Sequence, residues 1–398
     1  MKLKMLQELC VDIVDCPHST PKWQDSGIPV IRNYNLINGF LDTSNLSYVD
    51  EQTYEERIKR AVLQAGDLIF SREAPIGAIA MVPDNFKCCL GQRLVLLKVN
   101  EDVCDRNYLL YAMQSDFAKA QYLTKEKTGS IVSNFNISDL KELKIPCPSK
   151  EIQEKIGQIC KCIGDKVVMN KRSIAELKAM AKTIYDYWFV QFDFPNEIGK
   201  PYKSSGGAMV YNEQLKNEIP VGWAVRNIQE IAAIKAGGDR PSVFSMVKTN
   251  ECTVPIYANG IKNKGLYGYT DRSVVNLPSV TVSARGTIGY SILRTTPFVP
   301  IIRLISISPN EQYYAKYLEL FLNEYRFQKN GSIQQQLTVP DVAEMKIVCP
   351  TPNVMEQFVS LTNPIIVKES QVEKENQELT NLRDWLLPML MNGQVTVE

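Results

Sequence analysis

The sequence predicts an α+β protein in which two pseudo-repeated, sheet-rich domains are separated by two long antiparallel coiled-coil-like helices. Three observations point there. An internal repeat spans the chain, each copy passes from short β-branched runs to helical spacing at a matching place, and each helical stretch carries a heptad-like apolar seam. At 398 residues the chain is too long for one ordinary core, and 44% hydrophobic with 22% charged residues is the balance of a folded protein.

The repeat is clearest near the end of each half, where LKELKIPCPSKEIQEKI (140–156) matches VAEMKIVCPTPNVMEQF (342–358) at a constant offset of 202. Upstream, IPVIRNYNLINGF (28–40) resembles VPIYANGIKNKGL (254–266) at offset 226, and SREAPIG (71–77) resembles SARGTIG (283–289) at offset 212. Offsets that change along one shared scaffold mean insertions and deletions in surface loops.

Within each copy, runs such as GDLIF, RLVLLKV, VTVSA and IIRLISIS, punctuated by Gly, Pro and Asn, predict strands. YLLYAMQSDFAKAQY (108–122) and YYAKYLELFLNEYRF (313–327) predict helices in matching positions. A longer helical seam follows through Ile152, Ile156, Ile159, Ile163, Val167, Ile174, Leu177, Ala181, Ile184 and Trp188, with a gap at Asn170. Its roughly 40 residues span about 60 Å at 1.5 Å per residue. The second copy has Val354, Phe358, Leu361, Ile365, Val372, Leu379, Leu382, Leu386 and Leu390. Two such helices in one chain are expected to pair with each other. Asn170 either fixes their register or marks an exposed stutter, and Pro364 predicts a kink or an irregular first segment in the second. Residues 192–223, rich in Gly, Pro, Ser and Lys, have linker composition, with ordered ends expected around Phe192 and Trp223. The expected division is therefore 1–149 and 218–351 for the two domains, 150–191 and 352–393 for the helices, and 192–217 for the link.

Several chemistries are disfavoured. A single histidine, His18, removes His-paired nucleophilic catalysis. No GxxxxGK[ST] loop offers a seat for ATP, and neither a GxGxxG turn nor an Asn/Asp-Pro-Pro-aromatic tetrapeptide supports methyl transfer by this chain alone. The ten cysteines include no CxxC pair, so reduced structural thiols in a cytoplasmic protein are expected rather than a metal centre. No secretory signal and no membrane-length apolar run stand in the sequence.

Net charge is +1, which does not suit a protein that coats nucleic acid nonspecifically. It is unevenly spread: −1 over 1–150 (18 basic, 19 acidic), +4 over 211–350 (15 basic, 11 acidic) and −4 over 351–398 (3 basic, 7 acidic). A nucleic acid would be held by local patches, with partners supplying part of the phosphate grip.

The two helical ends carry a family likeness. YDYWFVQFDFP (185–195), then GKPYKSSGG (199–207) and IPVGW (219–223), resembles the middle of type I restriction-modification specificity subunits. LRDWLLPMLMNGQV (382–395) resembles their C-terminus, EIQEKIGQI and VMEQFVSLTNPI the starts of their long helices, and DCPHSTPKW (15–23) the opening of one subtype of first recognition domain. The resemblance covers essentially the whole chain. It implies two target recognition domains that each read half of a split site in double-stranded DNA, a helical spacer that binds two methylation subunits, and motor-nuclease subunits in the full complex. S-adenosylmethionine and ATP then belong to those partners, and the chain itself needs no cofactor, has no catalytic residues and works without a membrane.

Base readout favours Arg for guanine and Asn or Gln for adenine, on loops between strands, with phosphate contacts setting position. In the first domain this selects Arg32, Asn33 and Asn35, then Ser71 and Arg72, then Lys125, Lys127, Thr128 and Ser130. In the second it selects Tyr257, Asn259, Lys262 and Lys264, then Arg285 and Thr287, then Ser332, Gln334, Gln335 and Gln336. Arg72 and Arg285 have an alternative use as partners of carboxylates. The aromatic cluster Tyr185, Tyr187, Trp188 and Phe189 is open to base stacking, to partner docking or to burial, and its seam spacing favours burial. Two other readings remain at this stage: a stand-alone DNA-binding or regulatory protein on the same scaffold, and a coiled-coil scaffold whose domains bind proteins.

Overall fold

The computed structural model describes residues 2–73, 75–124, 135–325, 327, 336–391 and 394–395. The chain forms two compact units, Met1–Ser173 with Val372–Glu398, and Ile174–Gln371. Both cuts fall inside long helices, Lys150–Tyr185 and Pro352–Met391, so each unit holds one sheet domain and a segment of each helix.

The two domains share one topology. In the first, a four-stranded antiparallel sheet has the order Cys10–Asp15, Leu94–Val99, Leu68–Ser71, Ile79–Met81. A three-stranded sheet sets Ile28–Ile31 between Ser47–Val49 and the parallel strand Cys89–Leu90, and Leu3–Met5 pairs with Lys144–Pro146. The second domain repeats every step with Ala232–Ala236, Ile305–Pro309, Ser279–Val282 and Ser291–Arg294, with Val254–Tyr257 between Leu266–Thr270 and the parallel Val299–Pro300, and with Ala224–Asn227 against Lys346–Cys349. Individual backbone bonds recur as well. Cys16 N–H donates to Leu94 O and Gly237 N–H to Leu304 O, while Gly77 N–H donates to Ser71 O and Gly289 N–H to Ser283 O.

In the first domain the central strands are buried on both faces, which is why they read as unbroken apolar runs. Alternation still sorts them: Leu68, Phe70, Val95 and Leu97 enter the core shared with the helices, and Ile69, Leu94 and Leu96 enter a second core on the opposite face. In the second domain the helix-facing side is again apolar, with Val280, Val282, Ile305 and Ile307, but the opposite face carries buried Ser279, Thr281 and Ser306. That polar face accommodates a buried arginine described below.

The helix expected over 108–122 is broken in two, Arg106–Ala112 and Asp116–Thr124, whereas its counterpart is a single helix, Tyr314–Glu324. Asp105 caps the first of the pair by accepting from Tyr108 N–H at 2.7 Å.

In each unit the long-helix segments run antiparallel. Lys166 and Asn170 meet Glu375 in the first unit, and Lys178 meets Glu369 in the second, at 3.3 Å for both lysines. Asn170 is buried and donates to Glu375 Oε2 at 2.9 Å, so it ties the two helices and is no exposed stutter. A double-mutant cycle of Asn170→Ala and Glu375→Ala is expected to show coupling of about 1 kcal/mol in urea unfolding. Zero coupling would mean the bond holds nothing. Gly164, inside the helix, lets it close on the first domain, because a Cβ there would stand 2.3 Å from Tyr111 Oη.

Two expectations need correction. The second helix is continuous through Pro364, with no irregular first segment; the Ser360 carbonyl left without its helical donor lies on an exposed residue. Residues 192–217 have linker composition but are folded. Phe192, Phe194 and Trp223 are buried in one aromatic group, Phe194 stacks on Trp223 and Tyr202 at 4.9 and 4.6 Å, and Met209–Asn212 pairs with Asn217–Pro220. Ser204 donates through Oγ and N–H to Asp193 at 2.6 and 2.7 Å, which holds that carboxyl below the usual carboxylate range. Gly199, Ser204, Ser205 and Gly206 lie in turns and bends between the aromatic anchors, and Pro195 and Pro201 face each other in a β-bridge.

The aromatic helix end is buried, as the seam spacing favoured. A turn of π-helix, Asp186–Val190, follows the central helix, and Tyr185, Trp188 and Phe189 pack into the second unit's core while Tyr187 stays exposed. Among the described residues no helix is long and apolar enough to cross a membrane.

Candidate nucleic-acid interface

In each domain the loops singled out by the repeat are stitched together at one end of the four-stranded sheet. Phe135 N–H donates to Arg72 O at 2.9 Å, and Leu337 N–H donates to Ala284 O at 2.9 Å. These are the same bond in two copies, and each joins the loop after the third strand to the residue where a later segment returns.

In the first domain Arg32 is exposed, with its guanidinium 5.3 Å from the Trp23 ring and 5.0 Å from the Tyr34 ring. Two aromatic faces hold the planar fork without using its donors, a suitable arrangement for presenting it to a base edge or phosphate. Asn33 starts the short turn Asn33–Asn35. Asn35 itself is buried; it donates to Asp42 O and Asn45 O, both at 3.0 Å, and accepts from Arg32 N–H at 3.0 Å. Its amide is spent shaping the loop that carries Arg32.

Ser71 is fully buried and donates to Glu73 O at 2.7 Å. Arg72 is mostly buried, 3.4 Å from Asp15 Oδ1, with its Nε lacking a partner. The carboxylate-paired alternative for Arg72 therefore describes its geometry. Asp15 also meets His18 Nε2 at 2.9 Å, leaving that histidine largely exposed. Lys125, Lys127, Thr128 and Ser130 lie outside the described residues.

In the second domain Asn259 is a bracket. Its Oδ1 accepts from Ala284 N–H at 2.8 Å and its Nδ2 donates to Ile302 O at 2.7 Å, joining two turns. Arg285 and Thr287 are exposed, and Arg285 donates through Nε and Nη2 to Gln336 Oε1 at 3.1 and 2.7 Å. Lys262 is exposed, and Lys264 adopts a left-handed φ of 54° in the turn Lys262–Gly265. Ser332, Gln334 and Gln335 lie outside the described residues.

Tyr257 lies against Arg294, whose guanidinium stands 3.7 Å from the ring centre. Arg294 is buried, donates to Thr281 Oγ1 at 3.0 Å and Lys264 O at 2.5 Å, and has its pKa lowered by desolvation. It fixes the Lys262–Gly265 turn from beneath. The first domain has no arginine there, and its corresponding face is apolar.

Several residues at these sheet ends escaped the sequence reading. Trp23 and Tyr34 flank Arg32, Gln92 donates to His18 O and to Thr20 Oγ1, and Arg93 and Arg303 precede equivalent strands. The Arg-Leu doublet that opens both RLVLLKV and RLISIS, at an offset of 210, was the available signal for the last two.

Burial pushes the Cys10 and Cys88 thiols up to about 12 and those of Cys89 and Cys160 to about 11, so these four are protonated and inert at neutral pH. Among the described residues no group of three or more His, Cys, Asp or Glu side chains is placed to hold a metal ion.

The chain is similar to the type I restriction enzyme MjaIX specificity subunit of Methanocaldococcus jannaschii, 25% identical over 383 residues that cover 90% of this chain and 86% of that protein. It is also similar to the type I restriction enzyme HindI specificity subunit of Haemophilus influenzae, 19% identical over 404 residues, covering 84% and 88%. In fold it resembles the crystal structure of a type I restriction-modification system S subunit from M. genitalium, with a TM-score of 0.61 and 16% identity over 98% of this chain and 95% of that one. The family model for the type I restriction modification DNA specificity domain matches twice, at residues 3–179 and 220–377, one match for each copy of the repeat. The chain thus belongs to the type I restriction-modification specificity subunit family.

Proposed function

We propose that this chain is the non-catalytic, DNA-reading subunit of a type I restriction-modification complex. Each sheet domain, 1–149 and 218–351, reads one half of a split site in double-stranded DNA. The long helices, 150–191 and 352–393, dock two methylation subunits, and motor-nuclease subunits join the full complex. The reading is of a protein working in the cytoplasm.

One observation carries this reading: the same hydrogen-bonded frame occurs twice and presents different side chains each time, Arg32, Arg72 and Glu73 in one copy and Ala258, Ala284 and Arg285 in the other. A common scaffold with divergent tips suits two readers of different half-sites. Arg32, Asn33, Lys262, Arg285, Thr287 and Gln336 are the described candidates for direct contact, with Asn35, Ser71, Arg72, Tyr257, Asn259 and Lys264 shaping the loops around them. Support for partner docking comes from apolar groups left on the helices, Met169, Leu382 and Trp385 in the first unit and Met180, Leu361 and Val367 in the second.

Genome-wide mapping of methylated bases tests this, with the chain co-expressed alongside its methylation partners. A split motif with an unspecified middle is expected, and exchanging residues 1–149 for another domain should change one half of it. A continuous motif, or a change in both halves, would defeat the reading.

A further inference from the structure

Backbone strain falls at the same place in both domains. Arg93 has φ 70° and Arg303 has φ 58°, a left-handed conformation in which a side chain is disfavoured and glycine is the usual occupant. They are equivalent by structure: the leucine after each, Leu94 or Leu304, accepts the same backbone bond, from Cys16 N–H or Gly237 N–H. Strain kept twice, where glycine would relieve it, asks for a use of the side chain.

We infer that Arg93 and Arg303 are phosphate-contacting residues, one in each domain, that set the position of the duplex on the sheet ends. The inference rests on the DNA-reading role proposed above and adds to it two residues and the group that they hold. Both side chains are exposed. Arg303 makes no side-chain hydrogen bond or ion pair among the described residues, and Arg93 is anchored at Nε, 3.0 Å from Glu73 Oε2.

The strained turns are wired to the candidate loops. Arg93 O accepts from Arg72 N–H at 3.1 Å, Arg303 N–H donates to Gly237 O at 3.1 Å, and Ile302 O accepts from Asn259 Nδ2 at 2.7 Å. Arg93 and Arg303 keep one identity while their neighbours differ, with Glu73 facing Arg93 where the second copy has Arg285, and Arg32 in the first copy where the second has Ala258. Side chains that read bases must differ between domains with different targets. Those that grip the phosphate backbone, which is the same on every sequence, need not.

The test uses the chain assembled with its methylation subunits, a duplex bearing the motif found by methylation mapping, and a scrambled duplex. Glycine suits the left-handed turn and asparagine tolerates it, so Arg93→Gly, Arg303→Gly and the corresponding Asn variants keep the fold while removing the cation. Each is expected to weaken binding to both duplexes by about tenfold, to reduce the slope of log affinity against log salt by about 0.9, and to leave the methylated motif unchanged. Unchanged affinity and slope, an altered motif, or a lowered melting temperature in both the Gly and Asn variants would overturn the assignment. Failure of the wild-type complex to bind either duplex would remove the DNA-reading role itself, and this inference with it.

Discussion

Phe189→Ala is expected to destabilise the second unit by about 4 kcal/mol. Phe189 lies in the π-helical turn after the central helix, with ring centroids 4.6 Å from Tyr317, 4.9 Å from Phe358, 5.6 Å from Tyr185 and 6.0 Å from Trp223. It therefore joins four elements: the central helix, the folded connection, the domain helix Tyr314–Glu324 and the start of the C-terminal helix. Removing the ring leaves a cavity that rigid aromatic neighbours cannot collapse into. Urea unfolding followed by tryptophan fluorescence suits the measurement, because Trp188 and Trp223 lie in this cluster while Trp23 and Trp385 are exposed. Tyr187→Ala, two residues away on an exposed side chain, should cost under about 0.5 kcal/mol. Equal effects from the two would show that the aromatic end is not the core of this unit.

That cluster also marks where the sequence was legible. The threes-and-fours spacing through Trp188 correctly placed the aromatic end on a buried seam, because burial on a helix imposes its own period, but such spacing overreached at Ile152, Leu361 and Leu382, which are exposed. The duplicated blocks likewise revealed two copies of one fold before any topology was known. Strand order was not readable, since the parallel pairing of Val30 with Cys89 joins segments 59 residues apart through a sheet whose order no local pattern encodes.

Composition misled at 192–217, where Gly, Pro and Ser suggested a tether. The ends of 192–223, Phe192 and Trp223, were expected to be ordered; the missed signal was a pair of rings between them, Phe194 and Tyr202. At the candidate interface, residue type selected the right loops but could not separate groups that face outward from those that build the loop. Asn35 and Asn259 carry amides suited to adenine, yet both are engaged with backbone partners within their own domains. Only the fold decides which polar side chains are already occupied.

Arg57 shows that same distinction at its greatest cost, and Arg57→Met is expected to destabilise the first unit by about 3 kcal/mol. Arg57 closes the helix Glu51–Arg57 and is buried, with Nε and Nη2 donating to Leu90 O at 2.9 and 2.7 Å and Nη1 donating to Ser19 O at 3.1 Å. A further contact from Nη2 reaches Pro17 O at 3.5 Å. One cation thus ties the loop carrying His18 to the strand Cys89–Leu90, just before the turn that holds Arg93. Methionine keeps most of the apolar stem but offers no donor, so the cost lies in carbonyls left unsatisfied rather than in a cavity. Arg60→Met is the matched control, since Arg60 makes only long contacts of 3.4 and 3.3 Å to Asp15 O and Cys16 O, and it should cost under about 1 kcal/mol. Hydrogen exchange should quicken at residues 16–20 and 91–93 in the Arg57 variant alone. Without that local change, Arg57 would be a general stabiliser of the first unit, and the loop around His18 would owe its position to other contacts.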